Sequence, residues 1–201
     1  MIYILLSLIS SYLLGSIPTG YLFGRALKGI DIRKHGSGNV GATNVFRVVG
    51  KIPGVIVLFL DALKGFAAVA LAAGFIYNTN VPINIEWFCI IAALSSVIGH
   101  NWTIFLGFKG GKGIAVSTGA LTALMHKVAG ACFVVWLLVF LITHIVSISS
   151  IAASIALPIF AWVFDSPTEL KILSVILCII SIYKHKSNIK RILKGEEKRL
   201  W

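Results

Sequence analysis

Apolar residues fall in long runs at about 2–23, 53–77, 87–106, 128–146, 148–164 and 168–183, with a shorter, small-residue stretch, GIAVSTGALTALMH, at 113–126. A helix needs roughly 20 residues to cross the hydrocarbon core, fewer where the bilayer is thin. The pattern predicts an all-α integral membrane protein of about seven transmembrane helices, the one at 113–126 a short crossing or half-helix. No hydrophilic block is large enough to fold separately, so residues 1–201 read as one integral domain. Polar, glycine-rich sequence breaks the oily pattern at DIRKHGSGNVGATNVFR (31–47), GHNWTIFLGFKGGKG (99–113) and, more briefly, VSISS (146–150).

Charge turns this pattern into a topology. Only 12% of the 201 residues are charged and 58% are hydrophobic, against roughly 25% charged in soluble domains. The formal net charge is +11, and the cations gather at span ends. Arg25, Lys28, Arg33, Lys34, Arg47 and Lys51 lie between the first two spans, Lys109 and Lys112 after the third, and seven more from Lys184 to Arg199 after the last. The alternate loops hold only Lys127 and Lys171, with Glu86, Asp165 and Glu169. Positive residues mark the cytoplasmic side. Seven spans put all three basic regions on that side, with the N-terminus outside and the C-terminus cytoplasmic; skipping 113–126 would leave the basic tail opposite Lys109. Orientation and anionic partners thus account for the charge better than nucleic acid does. The tail from Lys184 reads as a solvated helix or lipid-surface anchor. Residues 1–24 carry no charge and show neither the basic start nor the cleavage site of a secretory signal, so the first run is expected to be a retained span. Cys89, Cys132 and Cys178 stand singly in apolar runs, as packing residues do.

Polar residues are costly in a small membrane chain and usually line a site. In GSGNVGATN, Gly36, Gly38 and Gly41 let backbone N–H groups approach an anion. Ser37, Asn39, Thr43 and Asn44 add neutral polar groups, and Arg47 adds a forked cation suited to phosphate. A helix starting near Asn39–Gly41 would add its N-terminus. A tightly packed glycine turn explains the same residues without a ligand. FKGGKG holds Lys109 and Lys112 on a turn made permissive by Gly110, Gly111 and Gly113; it lacks the Gly-Lys-Ser/Thr of a Walker A loop, and a plain loop with orienting lysines is its simpler reading. His35, His100 and His185 flank polar segments, whereas His126 and His144 read as interface or packing residues. No histidine has an aspartate four residues on, no HExxH occurs, and Asp31 and Asp61 stand alone. Asp61 and Lys64, at i and i+3 in the second long span, read as a mutually neutralising pair. No metal-ligand spacing is present, and no cofactor or metal is expected.

Taken together, GSIPTG (15–20), DIRKHGSGNVGATNVFR, GH followed by FKGGKG, VSISS and YKHKSNIKRIL (183–193) resemble, in order and over essentially the whole chain, the bacterial acyl-phosphate:glycerol-3-phosphate acyltransferases. The resemblance implies transfer of a fatty acyl group from acyl-phosphate to the 1-hydroxyl of sn-glycerol 3-phosphate, giving lysophosphatidic acid and phosphate. It also implies a bacterial cytoplasmic (inner) membrane location, with the active site on the cytoplasmic face. It makes Ser37, Arg47, Lys112, His185 and Asn188 the catalytic positions, with Ser147 and the glycine-rich segments, including Lys109, binding substrate. It further implies that a substrate phosphate takes the hydroxyl proton. The chain departs from the family pattern at Thr103 (usually Pro), Val116 (usually Thr) and His144-Ile145 (often Arg-Tyr).

Two other classes compete. A small transporter or lipid flippase would also break its helices at polar residues, but near mid-membrane and in repeated halves; no repeat is visible and the polar segments crowd one face. A purely structural protein leaves all three polar segments unexplained.

Overall fold

The computed structural model describes residues 2–79 and 84–200. All regular structure among them is helical: α1 (Ile2–Ser16), α2 (Thr19–Lys28), α3 (Ala42–Val48), α4 (Lys51–Thr79), α5 (Ile85–Asn101), α6 (Ile114–Leu124), α7 (His126–Thr143), α8 (Val146–Val163), α9 (Thr168–Lys184) and α10 (Lys186–Leu193). Contacts divide the chain into two compact units, Met1–Ala123 and Leu124–Trp201.

Five stretches are long and apolar enough to cross a membrane: Ile4–Lys28, Lys51–Tyr77, Ile85–Leu106, His126–Thr143 and Val146–Val163. The pair Thr168–Lys184 and Lys186–Leu193, bent by 59°, makes a sixth if taken as one span. The expected seventh, α6, has 11 residues. At 1.5 Å per residue it covers about 17 Å, a little over half of the core. Length and composition therefore support five or six spans directly.

In the first unit, small residues decide how the helices meet. Lipid gives no hydrophobic force between spans, so close backbone contact and interhelical hydrogen bonds must hold them. At the α1–α5 crossing a Cβ on Gly15 would lie 2.0 Å from the Ser96 carbonyl oxygen, and one on Gly99 would lie 2.2 Å from that of Tyr12. Ser16 Oγ donates to the Gly99 carbonyl (3.2 Å), and Tyr12 Oη donates to that of Trp102 (2.8 Å). α6 meets α4 in the same way, Gly65 against Val116 and Gly119 against Ala62. The Val116 side chain is fully buried beside this contact.

Pro18 separates α1 from α2. The break frees the Ser16 carbonyl, and Thr103 Oγ1 donates to it at 2.6 Å. The same hydroxyl oxygen accepts from Phe105 N–H at 3.3 Å. Thr103 has φ −69°, a backbone that proline also adopts, so this departure keeps the geometry and adds a buried hydrogen bond. α2 ends on Gly29 in the left-handed region, with Gly29 N–H on the Arg25 carbonyl and Ile30 N–H on that of Gly24, a two-bond stop that turns the chain towards the first polar segment.

The second unit packs α7 on α8, α8 on α9 and α9 on α10. Ser154 Oγ donates to the Ser150 carbonyl (2.7 Å) and lies 2.7 Å from Ser181 Oγ, a buried polar link between α8 and α9. His144 closes α7 at φ +56°, its ring edge-on to Phe140, as a packing residue. His126 lies exposed at the start of α7.

Gly15→Val should lower the thermal midpoint of the detergent-solubilised protein, because overfilling a tight contact costs about 1–3 kcal/mol. An unchanged midpoint would mean that α1 and α5 do not meet there.

Candidate functional site

The first polar segment folds around one side chain. Asn44, in the first turn of α3, is 1% exposed. Its Nδ2 donates to the backbone carbonyls of Asn39 (2.8 Å), His35 (3.0 Å) and Ile32 (3.3 Å), and its Oδ1 accepts from Ser37 N–H (2.9 Å). Asn39 Oδ1 accepts from Gly41 N–H at 2.8 Å. The loop turns through Gly36 (φ +60°) and Gly38 (φ +73°), values that favour glycine. A Cβ on Gly36 would also lie 2.2 Å from Asn44 Oδ1. The Asn44 carboxamide and the Asn39 Oδ1 are therefore engaged in shaping the loop. Ser37 lies exposed, Thr43 and Arg47 half-buried. The expected helix does begin here, at Ala42, with Gly41 as its N-cap.

Beside this loop Asp31 caps the turn Ile32–Lys34, accepting from Arg33 N–H, while the Arg33 guanidinium grips both its oxygens at 3.0 and 2.7 Å. The Arg33 hydrogen bond holds the Asp31 carboxyl down at about 2. His35 Nδ1 lies 3.0 Å from the Asp31 backbone carbonyl, so the Asp31 carboxylate does not orient that ring.

The second segment corrects the expectation of a permissive turn. Gly110 N–H donates to the Asn101 carbonyl (3.3 Å) and Gly111 N–H to that of His100 (3.0 Å). A Cβ on Gly110 would fall 2.0 Å from the His100 carbonyl oxygen, and one on Gly111 would fall 2.1 Å from His100 Nε2. The glycines let the loop lie flat on the end of α5. Gly113 turns at φ +82° and carries the chain into α6. Lys109 is exposed and Lys112 half-buried.

In the second unit Ser147, His185 and Asn188 are buried. Ser147 and Asn188 are gathered by Glu197, which no sequence pattern marked. Its Oε1 accepts from Ser147 Oγ (2.7 Å) and Asn188 Nδ2 (2.6 Å), and its Oε2 from Arg191 Nε (2.5 Å). Leu200 N–H donates to the His144 carbonyl at 2.8 Å. His185, at the bend between α9 and α10, has Nδ1 2.8 Å from the Ser181 carbonyl. The tail is thus partly folded back, where a wholly solvated or lipid-bound segment was expected; Glu197 gives it a buried anchor. Burial pushes the Glu197 carboxyl up, but the bonds from Arg191, Ser147 and Asn188 outweigh that and hold it below its ordinary 4.5.

Among the described residues, no group of three or more His, Cys, Asp or Glu is placed to hold a metal ion. The glycerol-3-phosphate acyltransferase family model matches residues 5–195. The chain belongs to the glycerol-3-phosphate acyltransferase family. A glycerol-3-phosphate acyltransferase of Thermosynechococcus vestitus is 47% identical over 199 residues, covering 98% of this chain and 94% of that one. Two solved structures of PlsY (YgiH), an integral membrane glycerol 3-phosphate acyltransferase, each cover 98% of this chain and 94% of theirs. The glycerol 3-phosphate form has a TM-score of 0.88 at 42% identity, and the lysophosphatidic acid form 0.85 at 41%. Membership makes the chain a multi-pass membrane acyltransferase.

Because the bonded state of Glu197 is its charged one, the tail's attachment should be complete above about pH 4.5 and be lost as pH falls through the lower folded value. At neutral pH, Glu197→Ala should speed carboxypeptidase trimming of the tail several-fold, since a buried hydrogen-bonded cluster loses its acceptor, about 1–3 kcal/mol. Trimming at the wild-type rate would contradict the attachment.

Proposed function

We propose that the chain transfers a fatty acyl group from acyl-phosphate to the 1-hydroxyl of glycerol 3-phosphate, releasing phosphate and lysophosphatidic acid, the first acylation of phospholipid synthesis. The observation that carries this reading is the Asn44-centred loop, which leaves Ser37 exposed just after Arg33 and Lys34, with Arg47 half-buried on the same short helix as Asn44. Both substrates carry phosphate. Arg47 and Lys112 neutralise it, and in the second unit the family resemblance makes Ser147, His185 and Asn188 further site positions. Asn44 acts by shaping the loop, and Asn39, whose Oδ1 braces Gly41, stays a substrate-binding position. The spans give the acyl chain apolar surroundings, among them a groove of about 430 Å³ bordered by Leu14, Leu22, Phe23, Leu60, Leu63 and Ala67.

The chemistry asks little of the protein beyond placement. Acyl-phosphate is an activated mixed anhydride: the acceptor hydroxyl adds to the carbonyl carbon, the carbon–oxygen bond to phosphate breaks, and inorganic phosphate leaves. Holding the two substrates in contact and neutralising their charge can carry most of the rate. A substrate phosphate oxygen takes the hydroxyl proton, so no protein carboxylate is needed as base. Ser37 orients substrate and does not become acylated. A nucleophilic serine needs a base held by a third group, and here the Asp31 carboxylate is engaged by Arg33 while His35 faces a backbone carbonyl.

The orientation belonging to this reading puts the N-terminus outside and the C-terminus and active site on the cytoplasmic side of the bacterial inner membrane. It takes α6 as the short fourth of seven crossings and the whole chain as one catalytic domain. The basic loops favour it.

Purified protein in detergent, given labelled glycerol 3-phosphate and acyl-phosphate, should form labelled lysophosphatidic acid with one phosphate released per turnover. Arg47→Ala and Lys112→Ala should each lower kcat/KM by about 100-fold or more, the scale of a lost charge-stabilising contact, at unchanged detergent-exchange elution. Wild-type protein without product, or either variant at near-normal rate, would contradict the reading.

Incubation with acyl-phosphate alone should leave the Ser37 peptide unmodified by mass spectrometry. A stoichiometric acyl-Ser37 adduct discharged by glycerol 3-phosphate would contradict direct attack.

A further inference from the structure

Asp61 lies ten residues into α4 from Lys51, about 15 Å along the helix at 1.5 Å per residue, outside every glycine-rich motif, and is 1% exposed. One of its oxygens is the focus of three groups. Thr19 Oγ1, at the start of α2, donates to Oδ1 at 2.5 Å. Lys64 Nζ lies 2.9 Å from the same oxygen and also donates to the Ile17 carbonyl at 2.9 Å, across the α1–α2 break. His100 Nδ1, near the end of α5, lies 3.8 Å from it. The far side of that imidazole supports the second polar segment: Gly111 lies against Nε2, leaving no room for a Cβ, and its N–H bonds to the His100 carbonyl. The next residue is Lys112.

A buried ion pair in a span is poor evidence of stabilisation, since apolar residues of similar volume often do as well or better. Apolar residues could fill this space and pin α2 to α4, but they could not fix the rotation of an imidazole. The carboxylate lies 3.8 Å from Nδ1, beyond hydrogen-bond length but close enough to attract a protonated ring, while the other ring nitrogen, Nε2, lies beneath Gly111. We propose that Asp61, acting through His100, is a positioning residue that sets the place of Lys112 for substrate phosphate. This rests on the reading of Lys112 as a phosphate-binding cation. Asp61 itself touches no substrate, and Lys64 balances its charge in the span.

The test uses the full chain in detergent and compares three proteins with wild type: Asp61→Asn/Lys64→Met, which removes both charges together; Lys112→Ala; and the triple variant. The charge-free pair should elute normally and raise KM for glycerol 3-phosphate, and the inhibition constant of inorganic phosphate, about tenfold, with kcat within about threefold, as expected for a misplaced rather than missing contact. In the Lys112→Ala background the same two changes should cost less than about twofold, because residues acting through one contact are not additive. A full tenfold cost in that background, or an unchanged KM in the pair while Lys112→Ala raises it, would overturn the positioning role alone. Unchanged KM and phosphate inhibition in Lys112→Ala would overturn the phosphate reading and the proposal together. If the pair fails to fold, Thr19→Val, which removes one hydroxyl donor from Asp61, takes its place: a KM rise of about threefold supports the proposal, and no rise overturns it.

Discussion

The first unit depends on backbones approaching closely enough to leave no space for a Cβ. In lipid the usual hydrophobic gain from bringing helices together is absent, and van der Waals contact with interhelical hydrogen bonds must replace it. Gly15 and Gly99 bring α1 and α5 together, and the bonds from Ser16, Tyr12 and Thr103 tie that contact to the end of α5. The end of α5 is in turn the floor on which the FKGGKG loop lies, again through glycines. Helix packing and loop placement are therefore one structural problem with one solution, and a side chain added at any of these contacts is felt at the loop.

The two polar loops of this unit gain order in different ways. The GSGN segment is closed around Asn44, whose carboxamide answers three carbonyls and one N–H. The FKGGKG segment has no such hub and takes its shape from the helix beneath it. In the second unit a carboxylate, Glu197, gathers Ser147, Asn188 and Arg191. Each arrangement satisfies polar groups that would be costly to leave unpaired near lipid.

Much of this was legible in the chain. Long apolar runs gave the helices and five or six of the spans, and the glycine-rich segments marked where polar loops fold against the helix ends. What periodicity could not carry was contact between residues distant in sequence. Glycines at 110 and 111 read as freedom when they are needed for space, because the neighbour that demands the space, His100, is ten residues away and meets them only in three dimensions. Glu197 sits in a charged tail whose composition says surface, and only its partners at Ser147 and Asn188 show otherwise. Asp61 and Lys64 were visible as a pair at i and i+3, yet the pair's link to Thr19 and His100 spans about 40 residues on each side. Thr103, a departure from the family pattern, is explained by a carbonyl 87 positions earlier.

The central claim is that these loops recognise phosphate. Calorimetric titration of the detergent-solubilised protein with glycerol 3-phosphate and, separately, with glycerol tests it most directly. Binding of glycerol 3-phosphate that weakens steeply with added salt, is absent for glycerol, and is lost in Arg47→Ala is the result the account predicts. Equal binding of the two ligands, or glycerol 3-phosphate binding undiminished in Arg47→Ala, would contradict it.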